Sequence, residues 1–257
     1  MKLLIKLGGT LLDAADSRDR LARQIACACS AGHEITVVHG GGKQMTRYLS
    51  ERGIQSTFVG GLRVTTPETL DAVLKVFAGS VNHELVAAIN RAGALAVGIS
   101  GIDAFLVEAE QMDAALGAVG RVTRSNPALL HLLTSNRYVP VVACVAGDRQ
   151  GQVYNVNADQ MAVACAAAFG ACQLIFLTDV EGVLDGAKQV CPLLTSAASR
   201  QLIAEGIATG GMQAKLNAAL GALEAGVEQV RIAPGAAESV LGRILAGEEL
   251  GTRMVTL

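Results

Sequence analysis

Two lysines and three glycine groups stand out by their spacing. Lys6 is followed by Gly8 and Gly9, Lys215 is preceded by Gly210 and Gly211, and Gly40, Gly41 and Gly42 run together after His39. A strand that ends on glycines where a helix begins exposes bare backbone N–H groups beside the positive end of the helix dipole. Such a point holds an anion, above all a phosphate. Two ammonium groups and several amides on one edge suit a phosphoryl group in transfer, whose equatorial oxygens need positive charge held in place. Asp159, on the same predicted edge, would keep the lysines in register and offset their repulsion. Each residue alone has a plainer explanation: Lys6 snorkels from a strand, Lys215 sits on a solvated helix face, Asp159 is a helix N-cap. Their conjunction favours the phosphoryl reading.

Familiar nucleotide loops do not account for these glycines. A P-loop needs a lysine followed by Ser or Thr, whereas Lys43 follows the triplet directly and precedes Gln44. A strand-linked Gly-x-Gly-x-x-Gly with a later acidic residue is missing, which disfavours a nicotinamide dehydrogenase. Asp103, Asp179 and Asp185 read as loop residues, with Asp179 the candidate for the nucleotide side. His39 reads as a structural hydrogen-bonding residue at a strand end. No second histidine stands at metal-ligand spacing.

The elements that must position these residues follow a recurring order of helix, glycine stop and strand. Residues 2–7 form a first strand, and a helix capped by Asp16 or Ser17 turns Leu21, Ile25 and Cys29 inward. The glycine stops at 32, 93, 170 and 226 precede strands over 35–38, 95–99, 174–177 and 230–232. That order means right-handed βαβ crossovers and a mostly parallel sheet. Residues 57–64 predict a hairpin with a glycine turn. Thr66 and Pro67 then start a long helix whose apolar stripe is Leu70, Leu74, Phe77, Val81, Leu85 and Ile89, a core helix with a possible share in a dimer interface. A helix after Pro127, a strand over 139–145 and an alanine-rich helix to Phe169 follow.

Totals exclude several classes. The 257 residues are 51% hydrophobic and 17% charged, which suits strands buried on both faces. A net charge of -2 with no Trp argues against a nucleic-acid binder. Six cysteines without a Cys-x-x-Cys pair read as buried free thiols in a reducing cytosol. The chain opens on a strand, without an export signal, and the apolar stretch 161–177 divides into helix and strand rather than crossing a membrane. A cytoplasmic protein is expected.

Five motifs in order carry a resemblance: Ile5-Lys6-Leu7-Gly8-Gly9, Val38-His39-Gly40-Gly41-Gly42, Gly61-Leu62-Arg63-Val64-Thr65, Asn155-Val156-Asn157-Ala158-Asp159-Gln160 and Gly211-Met212-Gln213-Ala214-Lys215. Together they resemble the amino acid kinase family, from the first strand to Arg253. The resemblance implies an α/β fold, a three-layer αβα sandwich with a mostly parallel open central sheet, as one domain over 1–257. Its half over about 1–173 would bind an acylated amino acid and its half over about 174–257 ATP, with Mg2+ carried by the nucleotide phosphates. The implied activity is phosphorylation of the γ-carboxylate of N-acetyl-L-glutamate to the acyl phosphate, a step of arginine biosynthesis. The alternatives are a kinase of another acylated or free amino acid, such as N-succinylglutamate or an aminoadipate derivative, and a non-catalytic sensor.

By position, Lys6 and Lys215 resemble the lysines that stabilise the migrating phosphoryl group, with Asp159 organising them. Gly8, Gly9, Gly41 and Gly42 would supply amides. Arg63, from a lid-like hairpin, and Asn155 would grip the substrate's α-carboxylate, with Asn157 beside them. Thr178, Asp179, Gly182, Val183, Leu184, Gly210, Gly211 and Met212 would line the nucleotide. No nucleic-acid or membrane partner is implied. The chain begins at its first strand, without the extra N-terminal helix of hexameric, arginine-inhibited members, so a homodimer of the arginine-insensitive kind is expected. Ala104 stands where relatives often have glycine, which leaves the acyl group open.

Overall fold

The computed structural model describes residues 1–256. Its centre is an eight-stranded sheet, with β1 (Lys2–Leu7) among its inner strands. On one side of β1 lie β2 (Glu34–His39), β8 (Tyr138–Ala143) and the edge strand β5 (Leu95–Ser100). On the other lie β11 (Gln173–Thr178), β13 (Gln229–Pro234), β14 (Thr252–Val255) and β12 (Leu193–Thr195). Pairing is parallel from β5 through to β13, and β14 runs antiparallel to β13. Chain order reverses at β1, so the loops after β1, β2 and β11 open onto the crevice where α/β sheets bind ligands.

The reason these strands sit inside is visible in their residues. Apart from their first positions, β1 and β2 are wholly buried, as is all of β11. Helix α1 (Ala15–Ser30) packs with α4 (Asn82–Arg91) and α9 (Val240–Leu245), while α6 (Ala158–Phe169) packs with α8 (Gly210–Glu224). Helices thus cover both faces of the sheet, giving three layers. A smaller four-stranded sheet of β6 (Val107–Gln111), β7 (Val119–Ser125), β9 (Val145–Gly147) and β10 (Val153–Val156) stands beside it.

Four expectations need correcting. Helix α1 begins at Ala15 with Ala14 at the N-cap and no side-chain capping hydrogen bond, so neither Asp16 nor Ser17 caps it; Asp16 lies in the first turn, where the helix dipole favours a carboxylate. The long helix, α3 (Pro67–Val73) continuing into α4, is π-helical over Leu74–Val81. The wider turn rotates its face, so that Leu74 is 37% exposed while Val73, Val76, Phe77 and Val81 go inward. The run over 139–145 is two strands, because the chain leaves the main sheet at Cys144 and enters the small one. All six cysteines are free, but only Cys144 and Cys165 are buried, and Cys27 is exposed.

The hairpin forms as β3 (Phe58–Val59) and β4 (Leu62–Arg63), turned by Gly60 and Gly61 at φ 57° and 80°. Thr66 caps the long helix by accepting the Thr69 amide at 3.2 Å, and Pro67 opens it. By length and composition the 25-residue stretch Pro67–Arg91 could cross a membrane, yet half of its most apolar window is buried against the rest of the protein.

On this helix Asn82 is buried to 1% exposure, and Gly98 of β5 makes room for it. A Cβ at Gly98 would stand 2.0 Å from Asn82 Oδ1 and 3.2 Å from Val86 Cγ2. Gly98→Ala is expected to destabilise the fold by about 1–3 kcal/mol, measured by urea denaturation. An unchanged midpoint would show that Asn82 moves freely.

Candidate active site

Lys6 and Lys215 come from opposite ends of the chain and meet on one carboxylate. Lys6 Nζ lies 2.6 Å from Asp159 Oδ1, and Lys215 Nζ lies 3.2 Å from Asp159 Oδ2. The three side chains are only 11%, 13% and 14% exposed, in the order Lys6, Lys215, Asp159. Lys6 is the next-to-last residue of β1, Asp159 sits in the first turn of α6, and Lys215 in the second turn of α8. The plainer reading of Asp159 as a helix cap fails. Asn157 caps α6, its Oδ1 accepting the amides of Asp159 at 2.9 Å and Gln160 at 3.2 Å. That leaves the Asp159 carboxylate to the lysines.

Burial alone would raise the Asp159 pKa, but the charges of Lys6 and Lys215 outweigh it and hold the carboxyl below its ordinary value. Lys215 is lowered, first by burial and then by the like charge of Lys6, with Asp159 and Asp179 offsetting part of this. Two ammonium groups facing one carboxylate leave a net positive charge, which an incoming anion would satisfy.

The glycine loops close on each other beside this triad. A Cβ at Gly9 would lie 3.0 Å from the Gly42 nitrogen and 3.4 Å from that of Gly41, so only glycine at 9 leaves those amides open. Gly8 N–H is spent on Leu177 O at 3.0 Å, tying the loop to β11. Helices α2 (Gly42–Ser50) and α8 begin without side-chain caps, so their first amides are available to a ligand. Gly210 and Gly211 are exposed, with nothing near the place of a Cβ, and Met212 behind them is half-buried.

Arg63 is buried to 9% exposure at the end of the hairpin. Its guanidinium donates to Ser56 Oγ, to Thr46 Oγ1 at 2.9 Å and to Gly42 O at 3.3 Å, with Phe58 stacked at 4.6 Å. Burial lowers its pKa from the ordinary arginine value. Asn155 joins it through Thr65: Asn155 Nδ2 donates to Thr65 Oγ1 at 3.0 Å, and that hydroxyl donates to Arg63 O at 2.9 Å.

On the other side, Thr178 Oγ1 donates to Asp179 Oδ1 at 3.1 Å and Thr10 Oγ1 reaches Asp179 Oδ2 at 3.4 Å, joining the loops after β1 and β11. Gly182 and Val183 are packed rather than open. A Cβ at Gly182 would meet Thr252 Oγ1 at 2.8 Å, and the Val183 side chain is fully buried. Leu184 is exposed and bridges to Val190. Of the nucleotide-side residues, then, Val183 offers no side-chain surface to a ligand.

A cleft of about 1170 Å3 runs from Asp159, Lys215, Gly210 and Gly211 past the hairpin tip at Gly60 and Gly61 to Arg121 and Arg124 of β7. A second hollow of about 670 Å3 adjoins Gly9, Gly42, Phe58 and Arg63. Sequence reasoning assigned no role to Thr10, Thr46, Ser56, Thr65 or Asn82. Only Asn82 left a signal, as a polar residue on the inward face of an apolar helix.

A family model described as Amino acid kinase family matches residues 1–234. An acetylglutamate kinase of Solibacter usitatus (strain Ellin6076) is 80% identical over 256 residues, all of both chains. An acetylglutamate kinase of Acidobacterium capsulatum is 43% identical over 94% of each. Among solved structures, an N-acetylglutamate synthase from Neisseria gonorrhoeae, complexed with coenzyme A and N-acetyl-glutamate, superposes with TM-score 0.89 at 23% identity. That match covers all of this chain and 59% of the synthase.

The triad has a measurable pH signature. The folded-state pKa of Asp159 lies below the unfolded value of about 3.9, so its stabilising contribution is complete above about pH 4 and is lost as pH falls through the folded pKa. Asp159→Ala is expected to lower stability at pH 7 by about 3 kcal/mol. In urea melts this gap should narrow progressively as the pH is taken below about 4. Equal stability at pH 7 would show the lysines need no counter-charge.

Proposed function

The chain belongs to the amino acid kinase family, and from that premise we propose that it transfers the γ-phosphoryl group of ATP to the γ-carboxylate of N-acetyl-L-glutamate. The product is the acyl phosphate, in a step of arginine biosynthesis. The observation that carries this is the pair of ammonium groups on Asp159, with Gly9 packed against Gly41 and Gly42 and a Cβ at Gly40 only 3.4 Å from the neighbouring Ala158 Cβ. Identity of 80% along the whole of an acetylglutamate kinase supports the choice of acceptor.

The chemistry needs no general base. A γ-carboxylate of pKa about 4.3 is already ionised at neutral pH, so the nucleophile arrives ready. The obstacle is the approach of one anion to another. Lys6 and Lys215 offset that repulsion and follow the charge that spreads over the equatorial oxygens, while the amides fix their positions in advance. Arg63 and Asn155 would hold the α-carboxylate, Arg63 by a bidentate contact, with Asn157 nearby. Thr178, Asp179, Gly210, Gly211 and Met212 would face the nucleotide, together with the backbone of 182–184.

In this reading the half over about 1–173 holds the acceptor and the half over about 174–257 the nucleotide, with the two lysines meeting between them. Magnesium would enter on the nucleotide phosphates and neutralise part of their charge. The enzyme would work as a cytoplasmic homodimer; the open edge at β5, with Leu95 and neighbouring Tyr138 exposed, suits pairing with a second copy. A non-catalytic sensor is disfavoured because Lys6, Lys215 and Asp159 are all present and in contact.

A coupled ADP-release assay across N-acetyl-L-glutamate, N-succinylglutamate, N-acetylaminoadipate, glutamate and aspartate, with hydroxylamine to trap the acyl phosphate, decides the acceptor. N-acetyl-L-glutamate should give the highest kcat/KM and a hydroxamate. ADP release with another acceptor and none with this one would overturn the assignment.

A further inference from the structure

The turn that carries Gly40, Gly41 and Gly42 is held from behind by hydrogen bonds that the reaction scheme above leaves unused. His39, the last residue of β2, is fully buried. Its Nδ1 lies 2.8 Å from Gly40 O and its Nε2 lies 3.0 Å from Asn82 Nδ2. Asn82 Nδ2 also lies 2.8 Å from Val141 O. A carbonyl only accepts, so the Asn82 atom facing Val141 must be the amide nitrogen. The same nitrogen faces the ring, so Nε2 accepts, and Nδ1–H donates to Gly40 O. Burial agrees, pushing the His39 pKa down to about 4 and keeping the ring neutral.

A trans peptide is planar, so the carbonyl of Gly40 and the N–H of Gly41 point in opposite directions. Fixing the carbonyl against the ring aims the amide away from it. Among the described residues the Gly41 N–H donates to no protein acceptor. Its nitrogen faces the Gly8–Gly9 loop, where a Cβ on Gly9 would lie 3.4 Å away. Phe77 and Val81 of the π-helical segment close the other side. A Cβ on Gly41 would meet Phe77 Cδ1 at 2.8 Å and Val81 Cγ2 at 3.4 Å. The long helix therefore grips both ends of the turn, with Asn82 on the ring and Phe77 on the glycine.

We propose that His39, anchored by Asn82, is a positioning residue that aims the Gly41 amide at the phosphoryl group in transit. This rests on the phosphoryl-transfer reading above. A donor fixed before the reaction costs no reorganisation when charge develops. With the peptide rotated, the Gly40 carbonyl would instead present its partial negative charge to the phosphate oxygens.

His39→Met removes the donor to Gly40, whereas His39→Asn keeps a nitrogen donor near the place of Nδ1. In steady-state kinetics His39→Met should lower kcat by about 10- to 100-fold, with both KM values within about threefold of wild type. His39→Asn should restore much of that loss. Independently, in 15N-labelled protein the Gly41 amide resonance should shift on addition of Mg·AMP-PNP in the wild type and barely respond in His39→Met. Should His39→Met fail to fold, Asn82→Leu, which frees the ring without removing it, is held to the same two readouts. An unchanged kcat, or a Gly41 amide that responds as in the wild type, overturns the inference. If the wild type releases no ADP with N-acetyl-L-glutamate, the acceptor assignment falls and the amide readout still decides this one.

Discussion

One carboxylate balancing two buried ammonium groups is the constraint on which the rest of the structure depends. Asp159 meets Lys6 at 2.6 Å and Lys215 at 3.2 Å, and none of the three is more than 14% exposed. Taking three charges out of water is costly, and a lone buried lysine would lose its proton instead. The carboxylate pairs with both amines, one on each oxygen, yet its single negative charge can cancel only one of two positive charges. The remainder is available to a phosphoryl group, and the low-dielectric surroundings make it count for more than it would in water. Lys215, its pKa lowered by burial and by Lys6, carries the cost of that arrangement.

The fold supplies the convergence. β1 lies where strand order reverses, so its loop meets those of β2 and β11 in one crevice. The glycines are there because the loops touch: a side chain at Gly9 would cover the Gly41 and Gly42 amides, and one at Gly41 would strike Phe77. Preorganisation at this site is therefore a packing property of the sheet edge and the long helix, and does not reside in any single residue.

Much of this was legible in the sequence because glycine punctuates it. Gly8–Gly9, Gly40–Gly42 and Gly210–Gly211 marked the strand ends and helix starts that put Lys6, Lys215 and Asp159 on one edge. The burial of β1, β2 and β11 followed from their mostly apolar, β-branched and leucine-rich make-up. What stayed hidden was set by contacts between distant residues. Asn82 lies 43 positions from His39 and 59 from Val141, and no local pattern announces such bonds. The π-helical turn at Leu74–Val81 breaks the 3.6-residue period, which is why Leu74 was misplaced. Asn157, not Asp159, turned out to cap α6, because side-chain geometry at a helix start is undetermined until the chain before it has a direction. Gly182 and Val183 belong to the packing against Thr252 of β14, a partner about 70 residues away.

Lys215, on the proposed function, would act on the phosphoryl group during transfer rather than on either substrate at rest. This role is tested most directly by kcat and both KM values of Lys215→Ala with ATP and N-acetyl-L-glutamate. A fall in kcat of about 10²- to 10³-fold is expected, with KM values little changed. A variant that keeps the wild-type kcat would contradict it.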